Sequence, residues 1–355
     1  MGYKILAINP GSTSTKVALY EEERPLLELT LSHSLEEIGA FAQALDQLEW
    51  RREIILNALA AHGFDIHELS VVIGRGGLVR PIPSGVYEVN ERMCEDLRHA
   101  KHKHACNLGG LLALEIAQRI GVKAYIADPP VVDEMSEVAH ISGLPMCPRK
   151  SIFHALNHKA TARLHCEKVG IRYEEANLIV VHMGGGISVA AHLHGEVVDV
   201  NNALDGDGPF APDRAGTIQT SSLVNLCFSG QYTQSEVMKL ICGKGGLVAH
   251  MGTNSVKEIR ERAEAGDPVA QRYLEAMCYN IAKQIGSLAP IFEGRVDGIV
   301  LTGGIAHGKA VTDYIDRHCS FIAPIYIYPG ENELESLARN ALGVLTGKFT
   351  PKEYK

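Results

Sequence analysis

The chain has 355 residues, with 34 Lys and Arg against 42 Asp and Glu, a formal net charge of −8. Its 46% hydrophobic and 21% charged content excludes a disordered chain, and the length suits two domains of about 175 residues each. The acidity, with no basic run, argues against nucleic-acid and membrane partners, which need a cationic face, and leaves a small ligand as the expectation.

In chain order, Tyr3-Lys-Ile-Leu-Ala-Ile8 reads as a first strand, entered without a signal-peptide apolar segment. No apolar run approaches the roughly 20 residues that span a bilayer. Eight cysteines form no C-x-x-C pair, so reduced thiols and a cytoplasmic location are expected. Asn9-Pro-Gly-Ser-Thr-Ser-Thr-Lys16 follows as a turn before a second strand. Its small residues would let backbone amides approach an anion, with Ser12 and Ser14 as donors and Lys16 as a charge, although a plain hairpin turn has the same composition. Ser34-Leu-Glu-Glu37 is a capping box ahead of Ile38, Phe41, Leu45 and Leu48 at helical spacing. Arg75 lies in Ile73-Gly-Arg-Gly-Gly77, after a strand. His99, His102 and His104 lack metal-ligand spacing, and most of the three, with Arg98, Lys101 and Lys103 interleaved, read as a solvated basic helix end. Asp128, at a strand end before Pro129-Pro130, suits either a magnesium site or a turn start.

In the second half, Leu178-Ile-Val-Val-His-Met-Gly-Gly-Gly-Ile-Ser188 is another strand and turn, and three consecutive glycines favour close approach to a ligand. His192 and His194 read as surface residues before a turn. Arg214 ends a loop rich in Gly, Pro and Asp that starts at Asp205, with Asp213 as a local alternative partner. Asp267-Pro268 starts a helix. Thr302-Gly-Gly-Ile-Ala-His-Gly-Lys-Ala310 misses the P-loop pattern at Ala310, where a magnesium-binding hydroxyl is required. A last helix lies between Asn332 and Gly347.

These features repeat. Laying Asn9 on His182 puts Gly11 on Gly184, an offset of 182 − 9 = 173 residues. Ile116-Ala-Gln-Arg-Ile-Gly121 matches Ile281-Ala-Lys-Gln-Ile-Gly286, both read as helix ends closed by glycine, and the strands after them align Asp128 with Thr302 at 302 − 128 = 174. Hairpins mixed with helix-to-strand units imply an α/β protein of two related domains on mixed sheets.

Asn9-Pro-Gly-Ser-Thr-Ser-Thr-Lys16, His182-Met-Gly-Gly-Gly186 and Thr302-Gly-Gly304 together resemble the acetate and sugar kinase, heat-shock cognate and actin superfamily. Within it, Gly74-Arg-Gly-Gly77, Arg80-Pro-Ile-Pro83, Gly206-Asp-Gly-Pro-Phe210 and Arg214-Ala-Gly216 resemble the acetokinases, in the branch whose acid is butyrate. The resemblance implies a duplicated actin-like (ribonuclease H-like) fold with a nucleotide cleft between domains 1–150 plus a C-terminal helix of about 336–355, and 151–335. It implies reversible in-line phosphoryl transfer between ATP and a short-chain carboxylate, with acetate, propionate or branched acids as alternatives, and with Mg2+. Asn9, Ser12, Ser14 and Lys16 would form the first phosphate loop, and Gly184, Gly185 and Gly186 the second. Arg75, Arg214 and His182 would surround the phosphoryl group, with His104 nearby. Gly303 and Gly304 would border the adenosine, and Asp128 with Glu333, or its neighbour Glu331, would support the metal. ATP or ADP, a carboxylate or acyl phosphate, and further copies of the chain in a homo-oligomer are the expected partners. The rival from another class is an actin-like or chaperone-like binding protein. Phe210 and the prolines at 83, 209 and 212 are expected to form an apolar pocket for the acid's tail.

Overall fold

The first strand, β1 (Lys4–Pro10), is buried along nearly its whole length and hydrogen-bonds on both edges. That is why it reads as a continuous apolar run and not as an alternating one. The computed structural model describes residues 2–100 and 103–355; Lys101 and His102 of the basic stretch lie outside them. They form two compact units, 1–132 with 332–355, and 133–331.

In the first unit β1 pairs antiparallel with β2 (Ser14–Glu21), which pairs with β3 (Arg24–Ser32). The capping box opens α1 (Leu35–Gly39), Ser34 accepting from the Glu37 amide. The expected single helix is interrupted after Gly39 and resumes as α2 (Leu48–Ala61). Next come β4 (Val71–Arg75), β5 (Val86–Glu88), α3 (Glu91–His99), α4 (Leu108–Ile120) and β6 (Lys123–Ala127). The sheet order is β3-β2-β1-β4-β6-β5, with β1, β4 and β6 parallel. Leu6 and Ile8 of β1 join Ile55, Leu59, Leu108, Leu111 and Leu112 in one core.

The second unit holds α5 (Glu137–His140), α6 (Ala155–Val169), β7 (Asn177–Met183), β8 (Ile187–Leu193) and β9 (Glu196–Val200). Short helices α7 (Thr220–Cys227), α8 (Gln234–Ile241), α9 (Gly246–Met251) and α10 (Val256–Glu264) precede α11 (Pro268–Leu288), which Asp267 caps as expected. Then follow β10 (Gly298–Gly303), α12 (Lys309–Cys319) and β11 (Ile325–Pro329). The final α13 (Glu333–Leu345) belongs to the first unit, where it packs on β1. The sheet runs β11-β10-β7-β8-β9, and alternate β7 residues serve two cores: Ile179 and Val181 face α11, Leu178 and Val180 face α6.

Residues 133–150 sit with the second unit, eighteen residues before the expected boundary at 151. Ser136 donates its amide to Val198, Arg149 pairs with Asp199 at 2.7 Å, and the wholly buried Lys159 pairs with Glu134 at 2.6 Å. Residues 332–335 likewise fall in the first unit.

The two sheets share the layout three antiparallel strands, then two parallel ones, so the duplication is real, but its second half is read in a shifted register. β4 and β10 are the strands parallel to β1 and β7, so β10 corresponds to β4, not to β6 as the 174-residue offset suggested. With Ile5 on Leu178, the pairing lays Arg75 on Thr302 and Gly76-Gly77 on Gly303-Gly304. Gly121 does close α4 with φ 73°, whereas Gly286 lies inside α11 and closes nothing.

Gly74 is where α4 meets β4: a methyl group there would overlap the Gly109 carbonyl. Gly74→Ala is expected to lower stability by about 3 kcal/mol through overpacking of backbone that cannot yield. Chemical denaturation measures this, with a loss below ~1 kcal/mol contradicting it.

Candidate functional site

The ends of parallel strands carry the candidate residues in each unit, the edge where α/β sheets place ligands. In the first unit, Asn9 at the end of β1 lies opposite Lys16 of β2, and cross-strand partners project from the same face. Arg75, ending β4, donates to Asn9 Oδ1 at 3.4 Å and pairs with both Glu333 oxygens at 3.2 Å. Asn9 Nδ2 also donates to Glu333. Asn9, Arg75 and Glu333 therefore form one cluster, joining residues 258 and 324 positions apart. Ser12 and Ser14 lie in the adjoining turn, where the Gly11 amide donates to Ser14 O at 2.8 Å.

Asp128, one residue past β6, is buried, adopts φ 39° and accepts the Gly85 amide at 2.7 Å. Aspartate tolerates this left-handed conformation better than most side chains. His104 caps the turn before α4, its Nδ1 accepting from the Cys106 amide at 3.2 Å. Burial pushes the Cys106 thiol up to about 11, with Arg75 opposing and Glu333 adding, so this turn lies within electrostatic reach of the cluster.

The second unit gathers more. His182, near the end of β7, is buried, and its Nδ1 is 2.7 Å from Asn157 Oδ1. Asn157 donates its amide nitrogen to Glu331 O at 3.1 Å, which leaves its oxygen to accept, so His182 carries the proton on Nδ1. His182 Nε2 lies 3.6 Å from Glu331 Oε1. A Cβ on Gly184 would stand 2.9 Å from that Nε2 and 3.0 Å from Glu331 Oε1, which is why glycine is needed there. Gly185, the middle residue of the turn, is exposed, with Asp213 Oδ2 3.8 Å from where its Cβ would stand. Gly303 has φ 88°, and a side chain would overlap the Met183 backbone; its amide donates to Gly330 O at 3.0 Å. Gly304 is exposed, with open space beside it.

Arg214 is set by a tight turn in which Ala211 donates its amide to Arg214 O at 3.0 Å. The guanidinium donates to Ala203 O and lies across Gly186, where any Cβ would overlap it. Its Nε and Asp213 Oδ1, 3.5 Å apart, are both buried without a hydrogen bond. Phe210 packs against the second unit's core, so the expected apolar pocket does not include a free Phe210.

His192 is wholly buried, against the surface position expected, because β8 is an interior strand. It belongs to a chain of contacts: Tyr173 Oη to His192 Nδ1 (2.8 Å), His192 Nε2 to His158 Nδ1 (3.3 Å), His158 Nε2 to Ser188 Oγ (2.8 Å) and Ser188 Oγ to His154 Nδ1 (2.9 Å). His154 stacks on His182 with ring centroids 3.8 Å apart. It is the half-buried member of the chain and therefore the one that solvent reaches. Sequence reasoning overlooked His154 and His158; their i, i+4 spacing was the available signal.

Burial pushes His158 down to about 3 and His192 well below the ordinary histidine value, with neighbouring cations adding to the second shift. Both are neutral when folded but protonate near pH 6.5 when unfolded, so their contribution is complete above pH 6.5 and is lost as pH falls below it, for His158 until its folded pKa of about 3 is reached. Stability is expected to drop by about 1.4 kcal/mol per pH unit for each histidine below pH 6.5. Thermal unfolding between pH 7.5 and 5 should show a shallower slope in His192→Gln; an unchanged slope would contradict the assignment.

Among the described residues no helix is long and apolar enough to cross a membrane. Residues 145–326 match the Acetokinase family. The chain is 52% identical over 353 residues to a probable butyrate kinase of Bacteroides thetaiotaomicron, covering 99% of this chain and 100% of that protein. It is 51% identical over 356 residues to butyrate kinase 2 of Clostridium acetobutylicum, covering 100% of both. Acetate kinase of Porphyromonas gingivalis superposes with a TM-score of 0.79 at 19% identity, covering 97% of this chain and 100% of that one. A propionate kinase of Francisella tularensis gives 0.77 at 18%, covering 95% and 98%. The fold is the duplicated actin-like α/β fold expected from the sequence.

Proposed function

The chain belongs to the acetokinase family, and from that premise we propose that it is a butyrate kinase, converting butyryl phosphate and ADP reversibly into butyrate and ATP. The observation that carries the reading is one arginine in each unit, Arg75 in the first and Arg214 in the second, each fixed at the end of a strand or tight turn beside glycine backbone. Full-length likeness to two proteins named butyrate kinases supports butyrate over acetate or propionate. It also disfavours an actin-like or chaperone-like binding protein.

The acid needs no general base, since carboxyl pKa values near ~4 leave it ionised at pH 7. The barrier is electrostatic: an anionic nucleophile must approach an anionic phosphoryl group in line. Arg75, oriented by Glu333, and Arg214, oriented by Ala203, would bind the charge on the equatorial oxygens. His182 holds its Nδ1 proton toward Asn157 and directs Nε2 toward the glycine turn, and His154 stacks beside it as a second imidazole. The amides of Gly184, Gly185 and Gly186, with Ser12, Ser14 and Lys16 of the other turn, would hold the nucleotide's phosphates, and Gly303 and Gly304 its adenosine.

The all-oxygen carboxylates of Asp128 and Glu333 have the chemistry that Mg2+ prefers and would hold it largely through waters beside phosphate. Glu333, already engaged by Arg75 and Asn9, would act through water, and Glu331 is the reserve donor beside His182. Bound there, the ion would neutralise charge on the phosphates. The eight free thiols, five of them buried, support a reducing cytoplasm. Exposed Val138, Ile141, Leu144 and Met146 on one short segment support a homo-oligomer. ATP formation from butyryl phosphate and ADP by the purified protein, abolished by chelation of Mg2+, tests the reading; no ATP under any condition would refute it.

A further inference from the structure

Arg51 of α2 is among the largest wholly buried side chains, with 1% exposure. Its Nη1 donates to Gly11 O at 2.9 Å, Ser14 O at 3.2 Å and Thr15 Oγ1 at 2.9 Å, and its Nη2 to Ser12 O at 3.3 Å. Gln47 Oε1 accepts from Nε at 3.0 Å and from Nη2 at 2.7 Å. Every one of these acceptors is neutral, and among the described residues no carboxylate pairs with the guanidinium. Burial lowers its pKa only to about 10, so it remains charged at neutral pH. His33, which bonds Thr15 Oγ1 at 2.9 Å, has its pKa lowered by burial and by Arg51, which disfavours a second positive charge beside the guanidinium.

A buried cation without a counter-ion is costly, and such charges are ordinarily paired. Here the unpaired charge lies directly behind the Asn9–Lys16 turn. In a planar trans peptide the carbonyl and the following amide point in opposite directions. Because Gly11 and Ser12 turn their carbonyls toward Arg51, the amides of Ser12 and Thr13 point away from it, and among the described residues neither donates to an acceptor. The missing counter-ion and the outward amides therefore call for the same thing, an anion on the far side of the turn.

We infer that Arg51 is a positioning residue for phosphate binding: it shapes the Gly11–Thr15 turn so that its amides face a phosphate group, and its charge, without a counter-ion among the described residues, strengthens the hold on that group. The inference rests on the proposed role of this turn as a phosphate loop. Arg51 itself does not touch the ligand.

Gln47→Glu separates charge from architecture. It keeps both hydrogen bonds to Arg51 in an isosteric side chain but supplies the missing counter-charge. Calorimetric titration of the full chain with ATP is expected to show at least tenfold weaker binding in Gln47→Glu, while adenosine affinity stays within twofold and thermal stability is unchanged or higher. A purely structural Arg51 would give the opposite pattern, with ATP affinity within twofold of the parent, and that result would overturn the inference. Parallel weakening of ATP and adenosine would overturn it as well. Arg51→Gln should reproduce the ATP loss with lower stability; if it does not fold, Gln47→Glu decides alone. Lys16→Ala reports on the loop itself. Weaker ATP binding in Lys16→Ala but not in Gln47→Glu removes only the role of Arg51, whereas no change in either removes the phosphate-loop reading and the inference together.

Discussion

Replacing Arg214 by alanine is expected to lower kcat by a factor of about 10²–10³, the cost of losing one preorganised donor to a transition-state oxyanion. The fold should survive, because the guanidinium is partly exposed and its hydrogen bond to the Ala203 carbonyl joins two loop segments and not a core element. Gly186→Ala should produce a comparable loss without touching the arginine, since the new methyl group would occupy the space of the guanidinium. Arg214→Lys should recover little, because an ammonium lacks the planar fork. Steady-state kinetics beside a thermal melt would test this; near-normal kcat in a folded Arg214→Ala protein would exclude the role.

Arg75→Met is expected to be at least as damaging, for a different reason. Glu333 is mostly buried and both its oxygens face Arg75, so removing the arginine leaves a carboxylate unpaired. Breaking such a pair costs about 3–5 kcal/mol when fully buried, and less in proportion to the exposure of Arg75 here. The same unpaired charge would also repel both anionic substrates, so kcat/KM should fall by more than about 10³. The double variant Arg75→Met/Glu333→Gln removes the repulsion and should regain stability, but not turnover. Denaturation and kinetics on the two single variants and the double one measure the coupling. Recovery of activity in the double variant would show that Arg75 serves only to neutralise Glu333.

The local rules that worked at sequence level were those with short reach. The Ser34 capping box, the Asp267-Pro268 helix start and the glycine turns after β1, β7 and β10 are all set by residues within a few positions of one another. The repeat was legible at the first strand of each half, where offset and pairing agree. It misled at Asp128 and Thr302, because similar helix ends precede β6 and β10 although these strands occupy different places in their sheets. The link from Arg51 to the Gly11–Ser14 turn carried no signal, since its acceptors there are backbone carbonyls 37 to 40 residues away, and a carbonyl has no sequence signature. The burial of His192 was hidden for a similar reason. Alternation along β8 gives two apolar faces, and only packing against α6 shows that a polar residue can be accommodated there by His158 and Tyr173. Glu331 and Glu333 are two residues apart in sequence, yet each joins a different cluster, one with His182 and the other with Arg75.

A protein of net charge −8 that handles phosphates must confine its cations to the places where anions bind. In the proposed site Arg75 and Arg214 would do this directly and Arg51 from behind the Asn9–Lys16 turn, with Arg51 and Arg214 bonded to neutral carbonyls and Arg75 to a single carboxylate. The most direct test of the account is ATP-dependent acyl phosphate formation by the purified chain, trapped with hydroxylamine, using acetate, propionate, butyrate and isobutyrate in turn. Product is expected to depend on ATP, with the highest kcat/KM for a four-carbon acid and a decline of roughly 1–3 kcal/mol in selectivity for each methylene removed. No hydroxamate with any of the four acids, from a folded protein that binds ATP, would contradict it.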